Sequence, residues 1–340
     1  MSISRDSILK GVFLSFLFSI IAIFLIIKFS SDSLNSRIFF EIDPYFLLIA
    51  AIINISWWVI KALKLKILLS SINSDITFPR IFAIFMSALF VSHVTPSSSG
   101  GFPYQVYYVH REGLPIGETS ALFIFDGLLT MAFLSLITPI VFFIGRAYIE
   151  FDLTLSFFFY LSLIMAIIVL IFFVYILFRP ELVFNLIRFL LGLRIWIRFF
   201  KEEQLLKAES FLMEELDYFI EGLSLMLNNR KNLFQVLLLL LFYWFFYLSL
   251  GPLLLIALNI DTPILTVIFA QLAFNFIQPF IPTPGGSGGS ELSFALLLKN
   301  IILPGKLGIM VALWRFFLYY TSLVIGAIFF TVLIKEKTVI

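Results

Sequence analysis

From Leu233 to Leu258 the chain passes no charged side chain. About 20 apolar residues in a helix cross the ~30 Å hydrocarbon core of a bilayer. Inside that core no water can satisfy a free backbone amide, so a crossing segment must be a helix or part of a closed barrel. Runs 12–27 and 153–178 are likewise free of charge, and 118–144 and 308–334 are apolar apart from Glu118, Asp126 and Arg315. They are continuous, whereas barrel strands would alternate in short segments. The sequence therefore predicts an all-α polytopic membrane protein, a single membrane domain over residues 1–340. Only 13% of residues are charged against 61% hydrophobic, too few to clothe soluble domains.

Six spanning helices are expected: Ile8–Ile27, Pro44 to about Lys61–Lys66, Glu118–Ile144, Leu153–Phe178, Leu233–Leu258 and Gly308–Ile334. Arg5 and Lys10 precede the first, which is long for a signal-peptide core and reads as a retained helix. Trp57 and Trp58, just before Lys61, suit an interfacial aromatic belt. Residues 179–232 form an interfacial or cytoplasmic insert. Its first part, Leu182–Phe200, suits a helix lying in the interface, and its acidic second part, Lys201–Leu227, suits a helix packed on the others.

Two stretches break the apolar pattern in the same way. Thr95-Pro96-Ser97-Ser98-Ser99-Gly100-Gly101 and Thr283-Pro284-Gly285-Gly286-Ser287-Gly288-Gly289 share T-P-x-x-S-G-G, and the second continues into Ser290-Glu291. The run before the first, Ile81–Val94, reaches only ~21 Å as a helix, too short to cross upright. Charge decides how both run. If each broken segment turns back, most Lys and Arg fall on the cytoplasmic side, with Lys28, Arg37, Arg146, Lys299 and Lys306 outside. If the first crossed, the basic residues of 179–232 would land outside, against the positive-inside rule. The expectation is two oppositely oriented re-entrant hairpins in an inverted-topology repeat, repeat one about 8–145 and repeat two about 153–334. Both termini are then cytoplasmic, in a multi-pass protein of the cell membrane.

Paired, interrupted segments at matching positions point to a transport site near the midplane. The candidate substrate-binding residues are therefore Thr95, Pro96, Ser99, Gly100 and Gly101 in one loop, and Thr283, Pro284, Gly285, Gly286, Gly288 and Gly289 in the other. Glycines permit positive φ and close approach, and a helix starting after such a loop offers its N–H groups to an anion. Glu291, Arg315 and Asp126 are ionisable groups in apolar segments, which marks them as functional candidates. Glu291 also suits the start of a helix, and Arg315 pairing with Glu291 or with Asp126 is open. Gln271, Asn275 and Gln278 share one helix face, and Arg111 sits at an expected cytoplasmic mouth. Glu291→Gln or Arg315→Ala is expected to reduce transport in folded protein.

No catalytic residue, metal site or cofactor is expected. The chain has no cysteine and two histidines, and neither a Walker loop nor a Ser-His-Asp cluster is found. No nucleic-acid partner is expected, and a homo-oligomer is left open. On the residues alone, a proton-coupled transporter of a small hydrophilic solute acting through Glu291 and an intramembrane lipid transferase both stand as alternatives.

Pro282-Thr283-Pro284-Gly285-Gly286-Ser287-Gly288-Gly289-Ser290-Glu291 resembles the P-T-P-G-G-x-G-x-x-E motif of the lysylphosphatidylglycerol synthase transmembrane, flippase-like family, also called uncharacterised membrane protein family 0104. Thr95-Pro96 with Gly100-Gly101, followed by Arg111 and an acid-bearing helix, resembles it too. The resemblance implies a flippase-like transporter for phospholipids or lipid-linked molecules, working without ATP, with membrane lipid as its substrate. The synthase members carry a further soluble aminoacylating domain; none is expected after Ile340, so enzyme activity is not carried over.

Overall fold

Asp43 and Pro44 start the first long helix of the structure. The Asp43 carboxylate accepts from the Tyr45 amide at 2.9 Å, covering a donor that a helix start leaves open, and proline lacks the donor altogether. This computed structural model describes residues 42–145 and 202–336, with isolated helical positions within 13–24 and 156–175. The expected spans 8–27 and 153–178, and the interfacial segment 182–200, lie wholly or largely outside the described residues.

The described chain is helical, with no strand. We number α1 Pro44–Ser71, α2 Phe78–Val94, α3 Gly101–His110, α4 Ile116–Gly145, α5 Glu202–Asn228, α6 Arg230–Ala257, α7 Ile264–Ile277, α8 Gly289–Leu298, α9 Pro304–Arg315 and α10 Thr321–Lys335. A 3-10 turn, Gln278–Phe280, follows α7, and a π-helical turn, Phe316–Tyr320, joins α9 to α10. Among the described residues, four helical stretches are long and apolar enough to cross a membrane: Pro44–Ser71, Ile116–Ile144, Arg230–Ala257 and Pro304–Lys335. They correspond to four of the six expected spans. The helices flanking the two loops, α2, α3, α7 and α8, are all shorter.

The end of α1 differs from expectation. α1 runs on to Ser71, past Lys61 and Lys64; both lysines pair with Asp126 of α4, Lys64 fully buried and Lys61 partly exposed. Trp57 and Trp58 are likewise core residues, 7% and 2% exposed. Trp57 packs edge-on against Phe85, Tyr243 and Tyr247 and donates to Asn54 Oδ1 at 2.8 Å. The exposed face of α1 carries Leu48, Ile52, Ile55 and Val59, an apolar stripe at helical spacing facing outward, as a lipid-facing helix requires.

α1 and α6 pack antiparallel. The Asp43 amide donates to Ala257 O at 3.0 Å at one end, and Asn232 Nδ2 donates to Ser71 Oγ at 3.0 Å at the other. α2 packs along α10, where a Cβ on Gly326 would stand 2.5 Å from Met86 O. α7 packs on α4. α5 lies against α4 as the sequence predicts for the acidic segment. The Gly117 amide donates to the Glu215 carboxylate, and a Cβ there would fall 1.8 Å from Glu215 O. Glycine at such crossings lets backbones approach closely.

Candidate functional site

The two T-P-x-x-S-G-G loops touch. Pro96 and Pro284 form an antiparallel bridge, and the Gly285 amide donates to Thr95 O at 3.3 Å. The loops also share their turn hydrogen bonds, and they diverge at the matched glycines that follow, Gly100 with φ -79° and Gly288 with φ 83°. Ser98 N reaches Thr95 O at 3.2 Å and Ser99 N reaches Pro96 O at 3.1 Å; Gly286 N reaches Thr283 O at 2.9 Å and Ser287 N reaches Pro284 O at 3.0 Å. The central residues of each turn have positive φ: Ser97 at 50° and Ser98 at 56°, Gly285 at 57° and Gly286 at 68°. Positive φ at both central positions characterises a type I′ turn.

Serine is strained there and glycine is not, since the left-handed region costs L-residues about 1–2 kcal/mol. Ser98→Gly is therefore expected to raise thermal stability slightly, by at most ~1 kcal/mol after the greater backbone entropy of glycine is counted. Differential scanning fluorimetry in detergent reads this directly, and a lower melting temperature would contradict the strain argument.

Around the turns, Thr95 Oγ1 accepts from the Gly100 amide at 3.0 Å, and Ser99 Oγ donates to Pro96 O at 2.9 Å. Gly101 sits where a Cβ would be 1.9 Å from Ser92 Oγ, and Gly289 where one would be 2.5 Å from Ile281. Thr283 Oγ1 donates to Ser287 O at 2.7 Å. Gly288, with φ 83°, precedes α8.

Glu291 joins the second loop to Arg315. Its Oε2 accepts from the Gly288 amide at 2.7 Å, the helix-start role, while Oε1 accepts from Arg315 Nε at 2.9 Å. Arg315 Nη2 donates to Gly285 O at 2.9 Å and to Ser287 Oγ at 3.3 Å, and its guanidinium lies 3.8 Å over the Tyr319 ring. Both members of the pair are buried, Glu291 completely. Of the two pairings left open by the sequence, the structure has Arg315 with Glu291. Arg315 stands directly before the π-helical turn that carries Tyr319. Tyr319 OH accepts from Ser287 Oγ at 3.3 Å and donates to His93 O at 3.2 Å, across to α2. His93 Nε2 lies 2.7 Å from Ser322 Oγ.

Asp126 is elsewhere, paired with Lys61 and Lys64 on α1. Gln271 and Asn275 face α6. Gln271 Nε2 donates to Tyr247 O at 3.1 Å, and Asn275 Nδ2 donates to Gln271 O at 2.7 Å and lies 3.4 Å from Tyr247 OH. Gly251 makes room for Gln271, whose Oε1 would be 1.9 Å from a Cβ there. Gln278 is half-buried in the 3-10 turn. Arg111 is exposed at the end of α3 with its guanidinium 5.9 Å from the Tyr108 ring. The structure thus gathers the two loops, Glu291 and Arg315, and leaves Asp126 and Arg111 outside that group. Sequence reasoning missed Tyr319, His93, Lys61 and Lys64. A buried Asp126 demanded a cation, and Lys61 and Lys64, three apart on one helix face, were the signal.

The family model for the lysylphosphatidylglycerol synthase transmembrane region matches residues 12–326. The chain belongs to this family. A UPF0104 membrane protein of Archaeoglobus fulgidus is 28% identical over 325 residues, 95% of this chain and 97% of the relative. A UPF0104 membrane protein of Methanothermobacter thermautotrophicus is 27% identical over 107 residues, 31% of this chain and 30% of that protein. The touching loops and the buried Glu291–Arg315 pair all fall inside the region matched to the lysylphosphatidylglycerol synthase transmembrane family.

Proposed function

We propose that this protein is an ATP-independent, flippase-like transporter that moves an anionic phospholipid or a lipid-linked headgroup between leaflets. In this reading it has six spans and two re-entrant hairpins of opposite orientation, related by an inverted repeat, in the cell membrane with both termini cytoplasmic. The headgroup passes where the hairpin loops meet, and the tails stay in lipid.

The observation that carries the reading is the bridge between Pro96 and Pro284. These are matching positions of the two motifs, and an antiparallel pairing of equivalent residues is what a two-fold axis through the loops produces. The helix packing supports the same axis. α1 and α6, each the helix before a hairpin, pair with one another, and the contact of α2 with α10 has its counterpart in that of α7 with α4. Polar, irregular backbone at membrane depth is tolerated where protein or water covers it; here Gly285, Gly286 and Ser287 are buried, while Pro96, Ser97 and Ser99 are exposed.

Passage requires the loops to part. The Gly285 amide meets Thr95 O between the loops, and beside them Tyr319 OH meets His93 O and His93 meets Ser322. Each is a hydrogen bond of about 1 kcal/mol net. The Glu291–Arg315 pair lies wholly within the second half, so it stays intact while the loops separate. Proton coupling through Glu291 finds less support, because Arg315 and Gly288 already engage its two carboxylate oxygens.

Reconstitution into liposomes tests the reading. Labelled phosphatidylglycerol on the inner leaflet is expected to reach an external quencher severalfold faster than in protein-free liposomes, without ATP. Rates equal to those of protein-free liposomes for both anionic and zwitterionic lipids would sink it.

A further inference from the structure

Lys61, Lys64 and Asp126 form a second buried charged group, apart from the loop contact. Lys64 is completely buried, with its ammonium 2.8 Å from Asp126 Oδ1 and 3.2 Å from Thr130 Oγ1. Lys61 donates to Oδ2 and keeps 16% of its side chain exposed. The Tyr243 ring faces both ammonium groups, 5.7 Å from Lys61 and 5.5 Å from Lys64. Among the described residues, Asp126 is the one carboxylate within ion-pair distance of either lysine. Two ammonium groups therefore share one carboxylate.

A surplus charge buried among apolar side chains is expensive. The aromatic face offsets only about 0.5–2 kcal/mol of it. Either one lysine sheds its proton or a second anion joins the group. The geometry favours the anion. Lys61 is open to the outside of the protein, has three donors and directs one of them to Asp126. Its depth also fits. α1 has 28 residues, ~42 Å of helix, which exceeds the ~30 Å hydrocarbon core by ~12 Å. With that excess shared between its ends, Lys61, ~15 Å from the end of α1, lies ~9 Å inside the edge of the hydrocarbon. A basic side chain there snorkels toward the headgroup level.

We propose that Lys61, oriented by Asp126 and backed by the buried charge of Lys64, forms a binding site for a phosphate oxyanion, carried by a membrane lipid or free in solution. The site is distinct from the loop contact, and its test reads binding, so it can fail while leaflet transport persists, and the reverse.

The full chain in detergent is examined by native mass spectrometry with dioleoylphosphatidylglycerol and with dioleoylglycerol, which has the same tails and no phosphate. Wild type is expected to retain the phosphatidylglycerol at least tenfold better. Lys61→Met leaves the neutral Lys64–Asp126 pair in place, so the fold persists and the preference is expected to vanish; Lys61→Arg is expected to keep it. Asp126→Asn, which adds to the surplus charge, binds at least as tightly wherever it folds. Displacement by millimolar inorganic phosphate assigns the site to free phosphate, and resistance assigns it to the lipid diester. Equal retention of the two lipids by wild type, or an undiminished preference in Lys61→Met, overturns the proposal in favour of a neutral lysine.

Discussion

Replacing Arg315 with alanine is expected to destabilise the protein by about 3–5 kcal/mol, the cost of leaving one member of a buried ion pair alone. Glu291 is completely buried and would keep the Gly288 amide while losing its cation. Gly285 O and Ser287 Oγ lose a charged donor in the same step, and Tyr319 loses the cation stacked on its ring. Set against a total stability of about 5–15 kcal/mol, this is enough to empty the folded state in a harsh detergent. Removing both charges at once, as in Arg315→Met with Glu291→Met, leaves no stranded charge and is expected to cost less than the two single changes added together, by more than 1 kcal/mol. Thermal unfolding of the four proteins closes the cycle, and additive losses would show that the pair is not coupled. Glu291→Gln strands the buried Arg315 cation in the same way, so the fall in transport expected of either single variant is to be measured on protein shown to be folded.

The second large effect is a reversible arrest of transport. Residues facing each other in an antiparallel bridge have Cα atoms ~4.5–5.5 Å apart, within the 4.4–6.8 Å that a disulfide spans. The chain has no cysteine of its own, so Pro96→Cys with Pro284→Cys introduces a single designed pair. If loop separation is the step that admits a headgroup, oxidation is expected to reduce lipid movement at least tenfold, and a reductant to restore it. Each single cysteine variant should be indifferent to oxidant. An oxidised, cross-linked protein that transports at the reduced rate would show that the loops need not part.

A smaller comparison bears on the same contact. Gly285 and Gly286 share a positive φ, so alanine at either meets similar backbone strain. At Gly285 the new Cβ would also stand 2.5 Å from the Tyr319 ring and 2.7 Å from His93 O, whereas at Gly286 its nearest neighbour is the rotatable Ser290 hydroxyl at 2.7 Å. Gly285→Ala is expected to cost about 1–3 kcal/mol more than Gly286→Ala, the usual range for overpacking. Equal losses of melting temperature would argue that the loop contact is loose.

Much of this was legible along the chain because it depends on local periodicity. Long charge-free runs such as Leu233–Leu258 require helices wherever they cross lipid, and the repeated T-P-x-x-S-G-G carries its turn chemistry with it, so the two loops adopt the same turn at the same positions. Pro44, Asp43 and Asn229 act at helix starts as their chemistry directs. Charge position along the chain was less reliable. Lys61 and Lys64 look like the basic end of a span, yet the helix continues past them to Ser71 and both pair with a carboxylate far away in sequence, Asp126. Trp57 and Trp58 suit an interfacial belt by position and are core residues instead.

By itself, then, the sequence determined an all-helical membrane protein with two matching breaks, since hydropathy and turn residues act over a few neighbours. Which charge meets which was decided by the tertiary structure alone. Glu291 finds Arg315, and Asp126 finds two lysines, because in an apolar interior an ion is stabilised by whatever partner the packing brings within 3 Å, however remote in sequence. The contact between Pro96 and Pro284 belongs to the same class: two loops each readable alone, whose meeting depends on the helices that carry them.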